Sequence, residues 1–253
     1  MSESVEERRG RAERLRDYFE VQLLFAERLA DRTSRPISDV CLEFTNLHRR
    51  FGLGRVGGPG PAADWTRYSA GLERCKSASE RLDWTVDFFS NAPSETGSNP
   101  RFGCFSYEGP TADGAIRIHF SNRDSEDGVG PLARAKADRR IADLGEMFGH
   151  VRTHHPKARS VLGGSWLYNL EAYCRLFPSE YVASRFLPDR VRLDGTSTWG
   201  QLLDFRERVK PAVRDAVLKN LDEIDAAEPW RAFPLRALRT QCDVEQFYRH
   251  YQV

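Results

Sequence analysis

The feature that most restricts this chain is a change of periodicity near residue 100. Before it, apolar residues recur every three or four positions. Leu15, Phe19, Leu23, Ala26 and Ala30 make one such stripe, and Trp65, Tyr68, Leu72 and Cys75 another, as one-sided burial of a helix requires. After it, two short segments look like strands: 101–108 with Phe102, Cys104, Phe105 and Tyr107, then 115–121, where Ile116, Ile118 and Phe120 alternate with Arg117 and His119. Alternation is the mark of a half-buried strand. The link from Gly109 to Gly114 is short enough for a hairpin. A chain that opens helical and then turns to strands has to bury its sheet under helices.

The spacing predicts helices over 4–32, 38–50 and 64–89, with Ser38 as an N-cap and a Gly/Pro-rich loop over 52–61. A long helix is expected over 131–154, because Pro131 suits a first helical position and His155-Pro156 ends the pattern. Strands follow at 159–168, 185–193 and 235–241, with a helix over 169–183 interrupted near Pro178. Further helices are expected over 198–208 and 211–225, and Asp243 can cap a last one carrying Phe247, Tyr248 and Tyr251. The fold class read from this order is α/β, in the α+β sense: a helical N-terminal region (1–98), then a mixed sheet with flanking helices and a helical C-terminal extension (99–253).

Composition narrows the function classes. Over 253 residues the net charge is +1 and 40% of residues are hydrophobic, so a packed core is expected and disorder is not. Near-neutral charge argues against a protein living on nucleic acid through a broad basic field. No stretch has the roughly 18 apolar residues of a membrane span. The first residues are charged and lack an apolar leader, so a cytoplasmic protein is expected. The cysteines, 41, 75, 104, 174 and 242, are odd in number and widely spaced, which reads as free thiols. Cys174 is the one to consider as a nucleophile.

Two junctions carry the functional argument. The first is 121–131, where a strand ends, a polar loop with Gly128, Val129 and Gly130 follows, and a helix begins. Backbone N–H groups and a helix dipole converging there suit a phosphate, and Arg123 adds charge. Asp124, Glu126 and Asp127 oppose an anion, and an ordinary loop stays the alternative. The second is Gly163 to Tyr173. Paired glycines in a strand mark a bulge or a close backbone approach, and Ser165, Tyr168 and Asn169 fall where the strand's carboxyl end meets a helix, the usual place of ligand clefts in α/β sheets. The alternative keeps Trp166 and Leu167 in the core and makes Asn169 an N-cap.

Strand, G-x-G loop, long helix, strand and N-x-x-A on a helix together resemble the Gcn5-related N-acetyltransferase (GNAT) superfamily over about 101–193. His119, Gly130-Pro-Leu132, His154-His-Pro156 and Ser165-Trp-Leu-Tyr-Asn169 carry the narrower likeness. The resemblance implies an acyl-CoA co-substrate, with Arg123, Gly128, Val129, Gly130 and Asn169 binding it. It implies direct transfer to a small-molecule amine, with Glu108 or His119 as base, Ser165 bonding the reacting carbonyl, and Tyr168 or Tyr173 as acid. The family's pyrophosphate-binding Arg/Gln falls on Ser125, and its tyrosine position on Leu176. A binding or assembly protein on the same fold, acting as a homodimer, is the first alternative. The second is a metal enzyme on Glu146, His150 and His154, which share one helix face at i, i+4 and i+8; solvated histidines at a helix C-terminus are the simpler reading, and no metal is expected.

Overall fold

The computed structural model describes residues 4–54, 56, 62–92, 99–124 and 127–253. In chain order its helices are α1 (Val5–Arg14), α2 (Arg16–Thr33), α3 (Ile37–Phe44), α4 (Leu47–Arg50), α5 (Ala62–Arg74), α6 (Ala78–Asn91), α7 (Ala137–His154), α8 (Glu171–Cys174), α9 (Ser179–Ala183), α10 (Thr196–Trp199), α11 (Pro211–Leu221) and α12 (Val244–Tyr251). The strands are β1 (Arg101–Phe102), β2 (Phe105–Glu108), β3 (Ala115–Phe120), β4 (Ser160–Ser165) and β5 (Leu238–Asp243). One mixed sheet with flanking helices makes the fold α+β. The chain divides into two compact units, 1–97 with 190–234 and 98–189 with 235–253.

The first unit is helical. Ser4 and Glu7 form a reciprocal capping box that starts α1. The stripe predicted over 4–32 is split at Leu15, and α2 ends on Ser34 in the left-handed conformation, just before Pro36. α2 is the centre of the unit, burying Tyr18, Phe19, Leu23, Phe25, Ala26 and Leu29. Segment 190–234, expected as an extension of the sheet region, belongs here instead. Its Trp199 ring packs edge-on to Phe25 and Phe233 with centroids 5.3 and 4.7 Å away, and its indole N–H donates to the Phe44 carbonyl. Burying these aromatics against α2 removes their large apolar surface from water. Helix 198–208 shrinks to α10 and one 3-10 turn.

Glu207, in the loop that follows, has φ +58° and lies between two arginines. Its carboxylate accepts from Arg11 at 2.6 and 2.7 Å and from Arg50 at 3.0 Å. Burial pushes the Glu207 carboxyl up, but the Arg11 hydrogen bonds and the two guanidinium charges outweigh it and hold it down at about 2.

The second unit holds the sheet, in the order β1-β2-β3-β4-β5. β1, β2 and β3 run antiparallel; Gly103, at φ +56°, makes the β1–β2 turn that splits the predicted strand 101–108. β3 and β4 are parallel, joined by the crossover through α7, and β5 is antiparallel to β4 over the whole length of both. One face is the core: Phe105, Tyr107, Ile116, Ile118 and Val161 lie buried with Leu144, Met147 and Phe148 of α7 and Phe247 of α12. The Phe148 and Phe247 rings stack at 4.5 Å. The predicted strand 185–193 is absent; only Phe186 forms a bridge, to Arg239, and Pro188 offers no N–H to continue it.

Candidate functional site

The other face of the sheet is polar and only partly covered. Alternation along β2 and β3 places Ser106, Glu108, Arg117 and His119 there, and β4 and β5 add Leu162, Gly164, Arg239 and Gln241. Antiparallel pairing puts Glu108 opposite Arg117 and Ser106 opposite His119. The ion-pair geometry is diagonal: His119 Nε2 is 3.4 Å from Glu108 Oε1, with side chains 41% and 42% exposed. Two predicted base candidates thus form one dyad, in which the carboxylate can orient the imidazole.

Beside this dyad the sheet opens. β3 and β4 pair at Ala115–Ser160, Ile116–Val161 and Arg117–Leu162, and the register ends there. The last three residues of each strand, Ile118–Phe120 and Gly163–Ser165, pair with their outer neighbours instead. Gly164 is exposed at this opening. Gly163 faces the core, where a Cβ would come within 2.0 Å of the Tyr168 hydroxyl and 2.2 Å of the Tyr181 hydroxyl. The first glycine makes room for packing, and the second leaves the open face uncovered.

The residues after β4 lie differently from expectation. The Ser165 hydroxyl accepts from the Leu167 N–H and caps a 3-10 turn over 166–169, a structural use. Asn169 is no N-cap: its side chain donates to the Trp166 and Arg236 carbonyls at 2.7 and 2.8 Å, tying this turn to the segment before β5. Tyr168 and Tyr173 are in the core, 1% and 2% exposed. Tyr168 and Tyr181 share a hydroxyl hydrogen bond of 2.7 Å. Burial pushes the phenols of Tyr168 and Tyr173 well above the usual range. Both tyrosines are thereby removed from the acid role, because their hydroxyls lie on the covered side of the sheet. Leu176, at the family's tyrosine position, is also buried. The Cys174 thiol donates to the Tyr168 carbonyl and is pushed up by burial, which suits a structural thiol.

The expected phosphate loop is also occupied. The helix starts later than predicted, with a 3-10 turn over Arg134–Lys136 ahead of α7. Buried Lys136 turns its ammonium back into the loop, donating to Asp124 Oδ1 at 2.9 Å and Asp127 Oδ1 at 2.8 Å, and to the Asp124 and Val129 carbonyls at 3.0 Å each. The Val129 N–H is taken by Asp127 at 3.0 Å. Buried Arg140 extends the network to Asp124 Oδ2 at 2.8 Å and to Cys104 Sγ at 2.6 Å. The Lys136 hydrogen bond and the neighbouring guanidiniums hold the Asp124 carboxyl below the usual range. The loop of Gly128, Val129 and Gly130 is thus built around a cation of its own, and its carboxylates repel a phosphate. Ser125 lies outside the described residues, as does most of the 52–61 loop. The loop and the segment after β4 do meet at one end of the sheet, where Arg175 donates to the Leu132 carbonyl at 3.0 Å.

The histidines at the end of α7 are partners of one another and of the core. His150 Nδ1 is 2.9 Å from the Tyr107 hydroxyl, and its ring stacks on His154 at 3.9 Å. Burial and the two neighbouring histidines hold His150 below its usual range. Glu146 is exposed, and among the described residues no group of three or more ligating side chains converges as a metal site. Among the same residues no helix is long and apolar enough to cross a membrane.

The spacing alone missed two groups, Lys136 and Arg117. Lys136 is one of five lysines in the chain and follows the acidic run 124–127 within one loop length. Arg117 was visible as an alternating residue, but its surroundings depend on the strand pairing. No protein family, curated protein or solved structure matches the chain.

Proposed function

We propose that the second unit is an acyl-CoA-dependent N-acyltransferase-like domain that passes an acyl group directly to the amine of a small molecule. The observation that carries this reading is the β3–β4 pair: parallel, registered only through Arg117 and Leu162, and bordered by the Glu108–His119 dyad on the uncovered face. An extended thioester arm fits between strand ends that do not pair with each other, and backbone N–H groups there can meet the thioester oxygen as charge develops on it. The amine nitrogen attacks the carbonyl carbon while His119 takes its proton, with Glu108 holding the imidazole. The C–S bond then breaks, and the leaving thiolate takes the proton back from His119. One imidazole serves as base and then acid, so no tyrosine is needed. Holding both substrates in one geometry supplies most of the acceleration. The Lys136-filled loop leaves the donor's diphosphate to be held elsewhere.

That loop favours a second reading, a binding or assembly protein on the same sheet. Acetyl-CoA separates the two. At millimolar concentration it should raise the melting temperature through mass action, and an amine panel should yield an N-acetyl product that His119→Ala abolishes. No shift and no product would leave the binding protein.

A further inference from the structure

On the polar face of the sheet, Arg117 is a cation with no ion-pair partner among the described residues. Arg117 is partly buried on β3, two residues before His119 on the same face, a separation of about 6.6 Å along the strand. Its direct cross-strand neighbour is Glu108, whose Oε1 lies 3.4 Å from His119 Nε2. Arg117 Nη1 is 3.9 Å from the point a Cβ on Gly164 would occupy, so the missing side chain leaves the guanidinium uncovered at the β3–β4 opening. Exposed Arg239 stands opposite Gly164 on β5. Among the described residues neither guanidinium has a hydrogen-bond or ion-pair partner. Elsewhere in this unit the Arg140 guanidinium lies against the Asp124 and Asp143 carboxylates and the Cys104 sulfur. A partly desolvated guanidinium has given up water without receiving an acceptor, and its planar fork matches a carboxylate with two parallel hydrogen bonds.

We infer that the open sheet face binds a carboxylate on Arg117 beside Gly164, and that the acceptor is therefore an amino acid whose amine reaches His119. The second half of this statement rests on the acyl-transfer reading; the carboxylate site does not. A phosphate of the donor is the competing occupant of the same guanidinium. The strand distance favours the acceptor, because a short chain between amine and carboxylate spans from His119 to Arg117.

The test measures binding by saturation-transfer NMR with glycine, β-alanine and 4-aminobutanoate against their amides, and with n-butylamine. In the wild type at least one acid should bind about tenfold or more tighter than its amide, the scale of a charged hydrogen bond. Arg117→Gln should erase that preference. Gly164→Asp should erase it too, since its own carboxylate reaches Arg117. The Gly164 backbone is not left-handed, so this second variant should keep its fold and melting temperature. Equal or absent binding of acid and amide in the wild type overturns the inference, as does a preference that survives both variants. Assays with acetyl-CoA then separate the two proposals. Acid-selective binding with no product removes acyl transfer and leaves the site. Transfer to n-butylamine as good as to the acids overturns the assignment of the acceptor as an amino acid and leaves transfer. A rise in KM for acetyl-CoA alone in Arg117→Gln assigns the guanidinium to a donor phosphate and overturns the acceptor assignment.

Discussion

Glu207→Gln is the most exacting perturbation of the helical unit, because it keeps shape and removes one charge. In the native chain the carboxylate meets Arg11 and Arg50, and its pKa falls from 4.5 to about 2. At about 1.4 kcal/mol per pKa unit, that depression corresponds to about 3 kcal/mol of stability at pH 7. The sign follows from the direction: a depressed carboxyl stabilises above its unfolded pKa and loses that contribution as pH falls through its folded pKa. The wild type should therefore keep about 3 kcal/mol over Glu207→Gln at pH 7 and only about 1.4 kcal/mol at pH 3, by the same linkage. Urea unfolding followed by tryptophan fluorescence is the assay, since Trp65, Trp84, Trp199 and Trp230 lie in this unit and only Trp166 lies in the other. A difference that stays constant between pH 7 and pH 3 would refute the ion-pair account and leave only the shape of the loop.

Two further substitutions probe the sheet unit. Gly163→Ala drives a methyl into the paired hydroxyls of Tyr168 and Tyr181, and should cost about 1–3 kcal/mol as overpacking, measured as a lower urea midpoint reported by Trp166. Lys136→Met leaves Asp124 and Asp127 facing each other without the ammonium; it should lower the melting temperature, and hydrogen exchange at the Val129 amide should quicken.

Local patterns that depend on one segment were legible. The β2–β3 hairpin follows from two strand-like segments, the second one alternating, on either side of a short link, and the Asp243 cap of α12 is present, its side chain accepting from the Glu245 N–H. What was not legible depends on partners far along the chain. An apolar stripe says that a helix is buried but not against what, so 190–234 could not be placed from its own periodicity. The tyrosines after β4 fall at plausible cleft positions in sequence, yet their side is decided by Tyr181, which shares the hydroxyl bond with Tyr168. The loop of 121–130 has the glycines an anion site needs, and only the return of Lys136 through the following turn fills it with a cation. The dyad was half readable: Glu108 and His119 were named separately, and the strand register joins them.

The sheet is completed by a strand that arrives late. β4 pairs with β5 along its whole length, yet residues 190–234 lie between them in the chain and belong to the other unit. As the polypeptide leaves the ribosome, β4 must therefore wait with one backbone edge bare while that entire segment is synthesised. An unpaired edge of this kind is a template for the wrong strand, so the half-made protein is the state in which a chaperone would matter most.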